Sequence, residues 1–367
     1  MTATVARQVP NPSKEPPVKE DGALVRRLIA EMEQMTWDRV GEHVLRNARR
    51  NLKFKDKGAS LAALRGRALG EGDSAVIVAA GPSVRRQNPA RILRERGYRG
   101  MVISTDSGIA HCLRNGLVPH LVVSLDPHPT RIVRWFGDPS LREQDLEEDD
   151  YYRRQDLDPL FADEVRANRE IMALLQTHAS RMSIALSTST SLAVVERVID
   201  AGIQIYWWNP MLDDPDEQGS RTRELMRVNG FPALNAGGNV GSAAWMIADA
   251  VISKRRVALT GMDFGYYGYT PYSATQYYRE AVDLVGEERV GELFSRIYNP
   301  HVGAWFMSDP AYQWYRQCFL EMAANAECQT YNCTEGGILF GPNVIFCPLT
   351  TFLDRVKQPE REALRAK

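Results

Sequence analysis

Six short apolar runs rich in Val and Ile recur through the middle of the chain. They are SAVIVAA from Ser74, GMVIST (100–105), HLVVSL (120–125), MSIALST (182–188), IQIYWWN (203–209) and RVALTG (256–261). Between them lie stretches with helical spacing, such as ARILRERG, DSGIAHCLRNG, SLAVVERVIDAG and SAAWMIADAVISK. Strands that alternate with helices predict an α/β fold, a Rossmann-like and mostly parallel sheet flanked by helices on both faces.

The flanks read differently. Residues 1–20 belong to MTATVARQVPNPSKEPPVKEDG, which is rich in Pro, Lys and Glu and lacks the apolar core of a secretory signal. That composition predicts a disordered tail on a cytoplasmic protein. Residues 21–70 form a helical N-terminal segment built on GALVRRLIAEMEQMTWDRVGEHVLRNARRNLKF, and KDKGAS then breaks it. The nucleotide-binding core is placed at 71–270 and a helical, aromatic-rich region at 271–330. A returning segment at 331–356 and a tail at 357–367 complete the layout. Within the core, 138–164 reads as a charge-rich insertion, a solvated loop or short exposed helix.

Bulk properties exclude several classes. The 367 residues suffice for one large domain or two ordinary ones. With 45 basic and 46 acidic side chains, the net charge of −1 does not mark a nucleic-acid binder. No apolar stretch approaches the roughly 20 residues of a membrane helix. Cys112, Cys318, Cys328, Cys333 and Cys347 are odd in number and form no CxxC pair. They read as reduced cysteines in or near a core.

Ligands of an open parallel sheet bind outside the carboxyl ends of its strands. There the sequence places Gly81-Pro82-Ser83, Thr105-Asp106-Ser107-Gly108, Asp126-Pro127, Ser187-Thr188-Ser189-Thr190, Asn209-Pro210 and Met262-Asp263-Phe264-Gly265. Gly237-Gly238-Asn239-Val240-Gly241-Ser242 precedes the apolar helix near 245. Glycine permits a close approach, Pro82 suits a first helical turn, and Ser83 can cap that helix or donate to a phosphate. An isolated Asp or Ser after a strand is ordinarily just a helix cap. Neither a Walker loop nor a GxGxxG fingerprint is present. Three carboxylates (Asp106, Asp126, Asp263) and two Gly-rich turns on one sheet edge nevertheless suit a nucleotide. Amides would face phosphate, and carboxylates would face ribose hydroxyls or a divalent metal.

VIVAAGPSV, STDSGIAHCLRNGLVPHLVVSLDP, GGNVGSAAWMIADAVISKRRVALTGMDFGY, and YNCTEGGILF with CPLTTFL together resemble the motility-associated factor glycosyltransferases. That family shares its core with the 6-hydroxymethylpterin diphosphokinase MptE-like proteins, and the arrangement is similar to bacterial sialyltransferases that use CMP-activated sugars. The resemblance covers roughly residues 35–355 and implies a sialyltransferase-like fold with helical additions at both ends. It implies that Gly81, Pro82 and Ser83 lie near the nucleotide phosphate. It puts Asp106, Ser107 and Asp126 against nucleotide and sugar, and Asn239, Gly241 and Ser242 in a second loop over the donor. Asp263 would close the site, with Asn332, Thr334 and Glu335 beside it.

The chain departs from that pattern in one place. The stretch where the family often carries a histidine general base reads YYGYTPYSATQYY, and the only later histidine is His301. A tyrosine with a pKa near 10 is a poor base at neutral pH. His301, Asp263 or Asp126 would then carry the catalytic role, or transfer activity is changed.

The resemblance implies transfer of a nonulosonic (sialic-acid-like) sugar from a CMP donor to a glycan or a protein. The family's flagellin-modifying members imply flagellin as such an acceptor. A second reading is transfer of diphosphate from ATP to a hydroxymethylpterin, with Asp106, Asp126 and Asp263 holding Mg2+ between phosphates. A third is a non-catalytic nucleotide-binding protein on the same fold.

Overall fold

A computed structural model describes residues 22–142, 144–145 and 164–357. The two terminal tails, apart from Lys357, and most of the 138–164 insertion lie outside the described residues. The six Val/Ile-rich runs are all strands: β2 (Ser74–Val78), β3 (Met101–Thr105), β4 (Leu121–Ser124), β5 (Ser183–Ser187), β6 (Gln204–Pro210) and β8 (Arg256–Thr260). Every residue of β2, β3 and β4 is buried. Continuous burial on both faces is why these runs are mostly apolar rather than alternating.

Four strands extend the sheet beyond the expected six. They are β1 (Gly58–Ser60), β7 (Ala233–Leu234), and β12 (Gln329–Asn332) with β13 (Val344–Phe346). The order is β1-β6-β5-β4-β3-β2-β8-β12-β13, with β7 added to the β6 edge, and every pairing is parallel. The chain steps outward from β2 through β3, β4, β5 and β6, then returns to the opposite side of β2 with β8. The strand order therefore reverses between β2 and β8, and the crevice at such a reversal is where open α/β sheets bind ligands.

One span differs from expectation. Residues 271–330 hold helices at Tyr278–Val285 and Pro310–Ala323, but also strands β10 (Ser295–Asn299) and β11 (Ala304–Ser308). These pair antiparallel, and β9 (Tyr266–Tyr267) joins β11 to make a separate three-stranded sheet. The turn between them reads Pro-His-Val-Gly, and Gly303 has φ +65°. Such a turn breaks a helix, and it outweighs the helix-like spacing of the flanking aromatics.

The N-terminal helix Ala23–Asn51 spans 29 residues, about 43 Å at 1.5 Å per residue. Its last turns dock through buried asparagines. Asn47 Nδ2 donates to the carbonyls of Pro127 (3.1 Å) and Ser189 (2.8 Å), and Asn51 Nδ2 donates to those of Thr188 and Thr190 (2.9 Å each). The STST turn after β5 is thus the seat of this helix. Among the described residues, no helix is long and apolar enough to cross a membrane. All five cysteines are free thiols, four of them buried.

Candidate functional site

The loops after β4, β3, β2 and β8 lie side by side at the carboxyl end of the sheet. Three strand spacings separate the first from the last, about 14 Å, which is the scale of a nucleotide. Above these loops opens a cavity of about 2810 Å³. Gly81, Pro82, Asp106, Ser107, Asp126, Asn239, Gly241 and Asp263 line it, so eight of the expected residues do converge. The N-terminal helix, through residues such as Trp37 and Arg39, and the Pro310–Ala323 helix also contribute walls.

Asp126 follows β4 and is exposed to the cavity. Its Oδ1 accepts the His128 backbone N–H at 2.7 Å. Crowding by protein raises its pKa above the usual carboxylate range, against the pull of the His128 amide and the charges of Arg131 and Arg39. Asp106 follows β3 and is 3% exposed. Ser124 Oγ donates to one of its oxygens (2.8 Å) and the Ser107 amide to the other (2.7 Å). Burial pushes its pKa up to about 7.

Asp263 is turned inward. Ser83 Oγ donates to its Oδ2 at 2.8 Å, and the Ser83 amide donates to Oδ1 at 3.2 Å. Burial lifts this carboxyl to about 7 despite both hydrogen bonds. Gly81 is glycine for the same reason, because a Cβ there would strike the Asp263 carboxylate and the Gly261 carbonyl. Ser83, expected to donate to a phosphate, is 1% exposed and faces Asp263 instead. The β2 and β8 loops are therefore clasped together across the sheet's reversal point.

Other expected residues serve this clasp from behind. Asn332 Nδ2 donates to the Leu339 carbonyl and its Oδ1 accepts the Thr334 amide (2.9 Å). Thr334 Oγ1 accepts the Met262 amide at 3.3 Å, and Glu335 accepts the Leu349 amide at 3.3 Å. None of the three lines the cavity; Thr334 braces the β8 loop while Asn332 and Glu335 hold the returning segment, which corrects their placement beside a nucleotide. Ser242 is likewise buried, and Asn239 caps its helix by accepting the Ser242 amide at 2.9 Å.

His301 is also corrected. It sits in the β10–β11 turn, stacked on Phe346 with ring centroids 4.8 Å apart, and is outside the cavity lining. Nor do the three carboxylates form the expected Mg2+ site. Asp106 and Asp263 are buried against internal donors while Asp126 is open to the cavity, and among the described residues no three His, Cys, Asp or Glu side chains group to hold a metal.

Three features escaped the sequence reading. An aromatic wall joins Tyr266, Tyr277, Tyr312 and Tyr315, with the Tyr277 and Tyr315 hydroxyls 2.7 Å apart. Within it, Asp309 is buried, caps the Pro310 helix through the Tyr312 amide (2.8 Å), and accepts from Tyr266 Oη (3.3 Å). Burial lifts Asp309 to about 6. The third feature is His128, which lines the cavity two residues beyond Asp126. A histidine so close to a strand-end carboxylate in SLDPHP was the available signal.

Residues 42–135 match the family described as 6-hydroxymethylpterin diphosphokinase MptE-like. That stretch contains β2, β3, β4 and their loops. Among solved structures, that of a Maf glycosyltransferase from Magnetospirillum magneticum AMB-1 is similar over 80% of this chain, at 14% identity and a TM-score of 0.46. The chain spans 38% of that protein. No curated protein matches the sequence.

Proposed function

We propose that the chain is a nucleotide-dependent transferase that moves a nonulosonic sugar from a CMP donor to a glycan or to a protein such as flagellin. The observation that carries this reading is the cavity's size and place. Ordinary small-molecule pockets hold roughly 300–1,000 Å³. A volume of about 2810 Å³ over the sheet's carboxyl edge leaves room for a nucleotide donor and a large acceptor together. The resemblance of the motif blocks supplies the donor class.

In this reading the nucleotide lies across the β2, β3 and β4 loops, with Gly237–Gly241 opposite. Departure of CMP leaves oxocarbenium character at the anomeric carbon, which preorganised donors around the phosphate stabilise. Asp126 takes the proton of the acceptor hydroxyl. Its openness to the cavity lets an acceptor hydroxyl reach it.

Diphosphate transfer from ATP is the second reading, favoured by the MptE-like match over residues 42–135. Thermal-shift titrations of CMP, CTP, UDP and ATP, each with and without Mg2+, separate the two. Stabilisation by CMP without metal supports sugar transfer. Stabilisation by ATP that requires Mg2+, with AMP released when the pterin alcohol is added, supports the second.

A further inference from the structure

Two of the five free thiols meet inside the fold. Cys333 Sγ and Cys347 Sγ lie 3.9 Å apart, and the residues are 1% and 6% exposed. Cys333 directly follows β12 and Cys347 directly follows β13. These strands are parallel, with Asn332 opposite Phe346, so the two cysteines occupy the next rung. Neighbouring strands lie about 4.8 Å apart, within the range of Cα separations that a disulfide spans. The backbone at each cysteine is already tied. The Cys333 amide donates to the Leu259 carbonyl at 2.8 Å, and the Cys347 amide donates to the Asn332 carbonyl at 3.2 Å. Closing the sulfurs to about 2.05 Å is therefore a side-chain movement that leaves the sheet in place.

We infer that Cys333 and Cys347 are a redox pair that hydrogen peroxide closes reversibly into a disulfide. A hydrogen bond from Cys333 holds the Cys347 thiol below its ordinary range against the effect of burial, and the charge of Arg355 adds to it. Cys347 is accordingly the attacking sulfur. Its thiolate attacks one oxygen of the peroxide, the O–O bond breaks, and the departing oxygen takes up the released proton as water. Cys347 is then a sulfenic acid. The Cys333 sulfur attacks it, the S–O bond breaks as the S–S bond forms, and the Cys333 proton leaves with that oxygen as a second water. Two thiols are oxidised and one peroxide is reduced, and a dithiol reverses the bridge by exchange.

The bridge bears on the site through the stretch it closes, residues 334–346. Within that stretch Thr334 Oγ1 accepts the Met262 amide (3.3 Å), the Ile338 amide donates to the Asp263 carbonyl (2.7 Å), and the Gly337 carbonyl accepts from Asn299 Nδ2 (2.8 Å). Oxidation thus fastens the segment that backs Asp263.

The test uses the full native chain, reduced and then treated with hydrogen peroxide. The peroxide is removed before the protein is denatured and its remaining thiols are alkylated. Chymotrypsin cuts after Phe340 and so separates Cys333 from Cys347. Mass spectrometry is expected to find their two peptides joined, lighter than the reduced pair by two hydrogens, and released by dithiothreitol. Cys112, Cys318 and Cys328 are expected to be recovered alkylated. Amide hydrogen exchange across 334–346 in the folded chain is expected to slow about tenfold on oxidation. Recovery of Cys333 and Cys347 both alkylated overturns the inference, and so does a bridge from either to another cysteine. Exchange that oxidation leaves unchanged overturns the fastening of the 334–346 stretch.

Discussion

Ser83 and Asp263, 180 residues apart in sequence, are joined by two hydrogen bonds, one from the serine hydroxyl at 2.8 Å and one from its amide at 3.2 Å. They clasp the loops on either side of the sheet's reversal, β2 to β8. A carboxylate in this position occupies the helix start that a phosphate takes in many related architectures.

The clasp has a pH signature. Asp263 is raised to about 7 in the fold, against an ordinary value near 3.8. Its contribution to stability is thus fully present below about pH 4 and is lost as pH rises through 7. Asp263→Asn removes that dependence and should flatten the stability profile between pH 5 and 8 by up to about 3 kcal/mol, the part of the shift that lies above pH 5. Ser83→Ala leaves the buried carboxyl short of a donor and should cost about 1–3 kcal/mol at pH 7. Urea unfolding at pH 5, 7 and 8 measures both.

Asn51→Ala removes the side chain that holds the Thr188 and Thr190 carbonyls at the end of the N-terminal helix. Two buried acceptors lose a donor, so a cost of about 1–3 kcal/mol is expected. Hydrogen exchange should show faster opening of residues 44–51 than of the β2–β4 strands, because the seat of the helix is loosened while the sheet is untouched.

Gly238→Ala meets two obstacles. Its φ of +78° is left-handed, and a Cβ would run into the ring of Trp314 and approach Tyr315 within 2.8 Å. Left-handed strain costs about 1–2 kcal/mol for a non-glycine residue, and displacement of the aromatic wall adds to it. Thermal unfolding should show a Tm lower by several degrees.

What the sequence made legible follows from how local each feature is. The Val/Ile runs announce themselves as strands because burial on both faces keeps their middles apolar, with polar residues toward the ends, and the loops that follow are then placed without further information. The segments QTYN and VIF did not stand out as β12 and β13, since Thr330 and Asn332 are polar yet buried by partners far away, as when Trp245 Nε1 donates to Thr330 (2.9 Å). The same limit applies at the site. Asp106, Asp126 and Gly81 were found from their positions after strands. That Ser83, Asn332, Thr334 and Glu335 are turned to internal partners depends on pairings that no single stretch of sequence contains. The aromatic wall reads locally as helix packing, which it also is.

Turnover with a CMP-nonulosonate, compared between the native chain and Asp126→Asn, tests the central claim most directly. Asp126 is open to the cavity and the replacement is nearly isosteric, so folding should be retained, with Tm within a few degrees of native. The account expects donor hydrolysis or transfer by the native chain and a loss of about 10²- to 10⁴-fold in the variant, at unchanged CMP affinity. Equal turnover by both proteins, or none by the native chain with any CMP donor, would contradict it.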